Sequence, residues 1–294
     1  MTTATTTAAH WIEGARPRTL PAAVSPVLAG TGSAVYADSF VWWKAVLALV
    51  VALALQVGVN FANDYSDGIR GTDTNRVGPL RLVGSGLVAA SRVRAAAFLA
   101  FAVAGVAGLV LAATTTWWLL LVGAVAIVAA WFYTGGSRPY GYHALGEVSV
   151  FVFFGLVAVV GTAYVQTEDV TLDAVLAGCG VGALACAILV ANNLRDIPTD
   201  REAGKQTLAV LLGDHRARVL YVALLAAALL LAVALAVSTS AWLLLAFVAA
   251  PIAVRACVTV IGGAIGPALI PVLRDTGLTE LGYALGLLLG YLLA

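Results

Sequence analysis

The segment VLALVVALALQVGV (46–59) runs straight into NFANDYSDGIRGTD (60–73), and this junction decides how the chain is read. An apolar run long enough for a membrane helix ends in a cluster of acids, in a chain that otherwise avoids charge. At helical spacing Asn60, Asp64 and Asp67 are i, i+4 and i+7, so their side chains share one stripe. Gly68 is expected to let the backbone leave the helix, with Asp73 following in a Gly-containing loop. Carboxylates crowded at a helix end repel one another. As hard oxygen ligands they favour a cation, and Mg2+ shared with a phosphate is the expected one.

A second stretch, NNLRDIPTD (192–200), closes the apolar run 184–191 in the same way. Asn192, Asp196 and Asp200 are i, i+4 and i+8, and Pro198 is expected to bend or end the helix because it removes a backbone hydrogen bond. Two Asn-x-x-x-Asp elements, each at the end of an apolar helix, predict two facing acidic sites.

Composition sets the solvent. Of the 294 residues, 62% are hydrophobic and 11% charged, with a mean hydropathy of +0.99. A soluble domain has roughly 25% charged residues, so this chain is read as an all-α polytopic membrane protein whose partner is the lipid bilayer. The apolar segments are continuous, whereas a β-barrel alternates apolar and polar positions. Nothing points to nucleic acid. Cys179, Cys186 and Cys257 lie in apolar runs without ligand spacing and read as small buried hydrophobes. His10, His143 and His215 are scattered. Residues 1–10 lack the basic start of a cleavable signal and are expected as a disordered tail on a single domain spanning 1–294.

Nine spans are expected from the rule of roughly 20 apolar residues each: about 20–37, 42–63, 95–113, 117–133, 147–165, 172–193, 219–237, 241–261 and 278–293. Connections alternate in charge. Those after the second, fourth, sixth and eighth spans carry Arg70, Arg76, Arg81, Arg92, Arg94, Arg138, Arg195, Arg201, Lys205, Arg216, Arg218 and Arg274, and Arg16 and Arg18 precede the first. The other connections are nearly free of basic residues, Lys44 excepted. The positive-inside rule places the N-terminus and both acidic elements in the cytoplasm. The two longest connections, 64–94 and 194–218, are expected to cap a central cavity between the second and sixth spans.

Other residues could join the acids. Arg81 lies in a Gly-rich loop whose backbone amides and guanidinium suit phosphate oxygens, and Lys205 follows Asp200. Arg138 sits in an aromatic, Gly-rich connection, 133–142, that would suit an aromatic anion. Glu147 opens a span, where it favours the helix dipole. These parts allow metal-assisted departure of diphosphate, with basic residues sharing the charge and a loop-capped cavity keeping an allylic cation from water.

The motif Asn63-Asp64-x-x-Asp67 with Asp73, followed by Asp196-x-x-x-Asp200, resembles the paired aspartate-rich motifs of the UbiA superfamily of intramembrane prenyltransferases. Segments 15–21, 63–73, 133–142 and 190–212 are most similar to the 1,4-dihydroxy-2-naphthoate polyprenyltransferases of menaquinone synthesis, within a resemblance that runs from about Trp11. The general pattern has its last Asp four residues after the previous one. Here Gly71 stands there and Asp73 comes two later, as in the naphthoate subgroup. The resemblance implies nine helices around a central cavity and Mg2+ bridging both motifs and the diphosphate. It implies transfer of a polyprenyl chain from polyprenyl diphosphate to 1,4-dihydroxy-2-naphthoate with loss of CO2, giving demethylmenaquinone. Carried over residue by residue, Asn60, Asp64, Asp67, Asp196 and Asp200 would hold Mg2+, and Arg81 and Lys205 would contact diphosphate. Asn63 belongs to the same substrate-binding motif. Asp73, Tyr133, Arg138 and Asn193 would surround the acceptor, Arg138 meeting its carboxylate. An aspartate of the first motif would take the hydroxyl proton.

Alternative readings are the same fold with 4-hydroxybenzoate or homogentisate as acceptor, and a cation-coupled transporter. Transporters place intramembrane acids near the midplane in broken helices, whereas these lie at helix ends beside basic loops. The expected location is a bacterial cytoplasmic membrane, with the site on the cytoplasmic side.

Overall fold

The computed structural model describes residues 7–71 and 80–294, and among them every regular element is a helix, with one isolated bridge between His143 and Gln206. The helices are α1 (Ala8–Ala15), α2 (Pro21–Tyr36), α3 (Trp42–Arg70), α4 (Ala90–Thr114), α5 (Trp118–Phe132), α6 (Gly146–Thr167), α7 (Leu172–Glu202), α8 (Leu208–Ser238), α9 (Ala241–Ile261) and α10 (Ile270–Leu292). Among the described residues, α3, α4, α6, α7, α8 and α9 are long and apolar enough to cross a membrane. At the other three expected spans, α2 and α5 are 16 and 15 residues long, and α10 carries Arg274, Asp275 and Glu280.

Several boundaries differ from expectation. The helix does not leave at Gly68; α3 runs on to Arg70 and ends at Gly71, whose φ of 73° supplies the left-handed cap. Gly68 instead gives room, because a Cβ there would lie 2.5 Å from Val83 Cγ1. The cap expected over 194–218 is mostly helix. Pro198 is accommodated inside α7, which continues to Glu202, and α8 starts at Leu208 behind the N-cap Thr207. Gly213, at φ 76°, interrupts α8 near its start. Within the expected tail 1–10, residues 1–6 lie outside the described residues and 8–10 are helical. Helix α1 begins at Ala8, where the Thr7 amide donates to His10 Nδ1 at 3.2 Å, and Trp11 packs edge-on against Phe61 at 5.7 Å.

Helix α7 is the axis of the bundle: 72% of its apolar window is buried, against 28–33% in the other five long helices. Its small residues admit close neighbours. In α6 the turns of Phe151–Val157 are π-helical, and Gly155 lies against Gly178 and Gly182, so that a Cβ would come within 2.6 Å of Gly182 Cα. The same device joins α9 and α10. Gly286 and Gly290, one turn apart, face the backbone at Leu245 and Trp242, with 2.4 and 2.6 Å between an added Cβ and the carbonyl oxygens.

Two apolar clusters result. One gathers α7 to α10 around Leu184, Tyr221, Leu243, Tyr283 and Leu287. The other joins α3 and α4 to the residues after Arg81 through Phe61, Leu82, Val93 and Phe101. Large apolar side chains such as Leu99, Val106, Leu121, Leu230 and Val258 face outward, the pattern of helices solvated by lipid. Trp42, Trp117, Trp118 and Trp242 are exposed at the end remote from the aspartates, where an interfacial aromatic belt belongs.

Replacing Gly286 by Leu should destabilise the protein by about 1–3 kcal/mol through overpacking. Gly123, where an added Cβ meets nothing within 4 Å, should tolerate Ala and gain up to about 1 kcal/mol of helix propensity. Thermal unfolding in detergent, followed by size-exclusion chromatography, checks both; equal behaviour of the two variants would contradict the packing.

Candidate active site

A cavity of about 1610 Å³ opens between α2, α3, α5, α6 and α7. Along α3 it is lined from Ala48 to Asp67, roughly 28 Å of helix at 1.5 Å per residue. Its body is apolar, walled by residues such as Val51, Leu55, Leu119, Ile127, Phe153 and Phe154. Its other end is polar, with Asn60, Asn63 and Asp67 of α3 facing Asn192, Asn193, Asp196 and Asp200 of α7. The two acidic helix ends, far apart in sequence, therefore meet on one cavity. Arg16, Arg70, Arg81, Arg195 and Lys205 line it too.

Each acid is compensated differently. Asp64 is buried and receives the Leu82 amide on Oδ2 at 2.7 Å and the Val83 amide on Oδ1 at 3.1 Å. It is absent from the cavity wall; its carboxylate pins the loop that follows Arg81. Asp67 does face the cavity. Its Oδ1 accepts from the Tyr142 hydroxyl at 2.5 Å, and its Oδ2 lies 3.5 Å from Arg81 Nη2 and 3.9 Å from Lys205 Nζ. Lys205 also stands 4.7 Å over the Tyr142 ring, and its amide donates to Asp200 O at 2.8 Å. One lysine thus ties the end of α7 to the acid of α3. Asp196 is held by its neighbour, for Arg195 Nε and Nη2 each donate to the carboxylate at 2.6 Å, and Nη2 reaches Asn192 Oδ1 at 2.9 Å.

The remaining expected residues separate. Asn60 uses its amide nitrogen on Ala15 O (2.9 Å) and Thr19 Oγ1 (3.0 Å), holding the turn after α1. Asn63 accepts from Thr134 Oγ1 at 2.8 Å, and Asn193 donates to Glu147 Oε1 at 3.1 Å; both line the cavity. Tyr133 lines it as well, its ring edge-on to Tyr140 at 5.5 Å. Burial raises the Tyr140 hydroxyl above its ordinary range, and both residues are neutral phenols at working pH. Arg138 is exposed and outside the cavity wall. Within that connection it is Arg70 that engages the backbone, donating to the carbonyls of Thr134 and Gly136. Asp73 and Arg76 lie outside the described residues.

Sequence reasoning missed the role of Tyr142, which its place in an aromatic, Gly-containing connection did not announce. It counted Arg195 only toward topology, although its place between two motif residues was the available signal. Among the described residues no three His, Cys, Asp or Glu side chains stand close enough to form a metal cage. The donors present are nevertheless the hard oxygens that suit Mg2+, which is usually held by one or two carboxylates together with substrate phosphates and water.

A sequence profile described as "UbiA prenyltransferase family" matches residues 23–262. The chain belongs to the UbiA prenyltransferase family. Relatives within it include a protein of Mycobacterium tuberculosis named 1,4-dihydroxy-2-naphthoate octaprenyltransferase, 57% identical over 277 residues covering 94% of each chain. A protein of the same name from Escherichia coli is 40% identical over 215 residues, covering 71% of this chain and 70% of its own. Solved UbiA structures share the fold. A homologue from Aeropyrum pernix superposes with a TM-score of 0.69 at 18% identity, covering 92% and 97% of the two chains. One from Archaeoglobus fulgidus, bound to DMAPP and Mg2+, superposes with a TM-score of 0.66 at 16% identity, covering 94% and 98%. The UbiA fold and the long apolar helices make this an integral membrane protein.

Replacing Asp64 by Ala should leave the amides of Leu82 and Val83 without their buried acceptor, costing about 1–3 kcal/mol each where desolvation persists. Limited proteolysis should then cut residues 80–86 faster than in the wild type, while Asp67→Ala, which leaves those amides bonded, should not accelerate it.

Proposed function

We propose that the protein transfers a polyprenyl chain from polyprenyl diphosphate to 1,4-dihydroxy-2-naphthoate, releasing diphosphate and CO2. The observation that carries this reading is the polarity of the cavity: acids and bases from two distant helix ends at one end, an apolar body long enough for an isoprenoid at the other. The relatives' names supply the acceptor. The single domain would cross the membrane nine times, with α2, α5 and α10 completing the set, and would keep its polar end in the cytoplasm, where the basic connections lie.

Asp67, Asp196 and Asp200 would hold Mg2+, which when bound supplies positive charge to the departing diphosphate. Arg81 and Lys205 would bind the diphosphate directly, since both already stand beside Asp67. Arg195 would turn from Asp196 toward the phosphates, keeping that acid compensated in either state. For Asn60 and Asp64 the geometry favours positioning, one holding the turn after α1 and the other the loop after Arg81. Tyr133, Asn63 and Asn193 would wall the acceptor.

In the reaction the bond from the prenyl C1 to the diphosphate oxygen breaks and a bond forms to the ring carbon that bears the carboxylate. The carboxylate leaves as CO2 and its electron pair restores the ring, while the adjacent hydroxyl proton is lent and returned. The product leaves at the hydroquinone level, and its oxidation to the quinone is a separate step.

Asp67→Ala or Asp196→Ala should lower kcat at least about a hundredfold, as loss of charge stabilisation at a leaving group does, with the protein still inserted in membranes. Chelation should abolish turnover and added Mg2+ restore it. The assay follows prenylated naphthoquinol and labelled CO2 from a carboxyl-labelled acceptor; prenylation with the label retained would reject the decarboxylating acceptor.

A further inference from the structure

Glu147 is a buried acid to which the proposed reaction assigns no task. It stands in the first turn of α6, where a carboxylate would serve the helix dipole. Its contacts nevertheless go to α7. Oε1 accepts from Asn193 Nδ2 at 3.1 Å, and the backbone carbonyl accepts from the Cys186 thiol at 3.1 Å. Cys186 and Asn193 are i and i+7, two turns along one stripe of α7. Glu147 is 8% exposed and absent from the cavity wall, whereas Asn193 lines the cavity. Gly146 keeps the start of α6 tight against the same wall. A Cβ there would lie 3.0 Å from the Tyr133 hydroxyl and 3.2 Å from Leu189 Cδ2, both on cavity residues. Residues 146 and 147 thus back a stretch of wall made of Tyr133, Leu189 and Asn193.

Asn193 has one edge of its amide on Glu147 and, among the described residues, no side-chain partner on the other. A carboxyl group can hold either edge of an amide, by accepting from the nitrogen or by donating to the oxygen. The pairing therefore leaves one edge to the cavity whichever way Asn193 is turned. The diphosphate has its cations beside Asp67. A wall of one phenol, one leucine and one amide suits a flat ring with polar substituents instead. We infer that Glu147 is a positioning residue for the acceptor. It touches no substrate; it locks the Asn193 amide so that the remaining edge meets a polar substituent of the naphthoate ring. An asparagine side chain left to itself is free to turn, and holding one edge removes that freedom before the ligand arrives.

This inference rests on the naphthoate reading above, and its test separates the two. With the full-length protein in vesicles, KM is measured for the dihydroxynaphthoate and for polyprenyl diphosphate. Glu147→Asp keeps the charge at the helix end but withdraws the carboxyl by one methylene. It should raise KM for the naphthoate on the order of tenfold, while KM for polyprenyl diphosphate stays unchanged. Glu147→Gln keeps the length and an oxygen for Asn193, and should stay within about twofold of the wild type. A residue that served only the helix dipole would give the reverse order. In an Asn193→Ala background, Glu147→Asp should cost nothing further for the naphthoate, because the two side chains act through one contact. Glu147→Met, which fills the space without an acceptor, takes the place of Asp in this cycle where Asp fails to insert. An Asp variant with the wild-type KM, a Gln variant as impaired as Asp, losses that multiply in the cycle, or a parallel rise in KM for both substrates overturns the inference. A wild type inactive on the naphthoate would refute the proposed function, and the inference falls with it.

Discussion

Carboxylates at the mouth of an apolar cavity must be compensated, and the arrangement of this protein follows from how that is done. Near the membrane an uncompensated ion is expensive, so each acid recruits groups from a different part of the chain. Asp64 takes two backbone amides and thereby fixes the loop after Arg81. Asp67 takes a phenol from the connection after α5, a guanidinium from the loop after α3 and an ammonium from the turn after α7. Asp196 takes the guanidinium next to it. The loops are thus drawn over the cavity by the charges they neutralise, and the same cations stand ready for an anionic ligand.

Helix packing provides the space in which this happens. Backbones touch where glycines face one another or a neighbouring chain, as at Gly155 with Gly178 and Gly182, and at Gly286 and Gly290 against α9. Other glycines, Gly105, Gly108, Gly123 and Gly161, line the cavity with nothing within 4 Å of a Cβ. In the first group the missing side chain lets helices close; in the second it leaves the apolar passage wide. The rigid half of the molecule and its hollow half are therefore written with the same residue.

Much of this was legible in the sequence. The long apolar runs and their acidic ends gave the helices, and the spacing of Asn60, Asp64 and Asp67 predicted a shared stripe. What periodicity could not show was the division of labour within that stripe. Asp64 and Asp67 differ in role because one backbone segment, 82–83, docks on only one of them, and docking is a tertiary event. Arg138 was placed at the acceptor because its loop is aromatic, yet it is exposed, and Tyr142 of that loop is the residue that reaches Asp67. The expected cap over 194–218 was misread because charge was taken for loop. Arg195 and Asp196 pair along the helix surface, so the helix could continue into charged sequence at little cost.

The chemistry assigned to the cavity also explains why its two polar regions differ. Departure of diphosphate builds negative charge, and cations crowd that end. Capture of the cation by the ring, followed by loss of CO2, creates and consumes no proton overall, so the acceptor region has no need of a strong base. Tyr133 and Tyr140, phenols that stay protonated near neutral pH, and the amides of Asn63 and Asn193 suit the proposed acceptor region. They can orient a hydroxylated ring without titrating beside it, and they offer a cation no competing nucleophile as basic as an ionised phenolate. The placement of neutral groups deep and ionised groups at the mouth is thus one consequence of a single constraint: charge is kept where the chain can answer it.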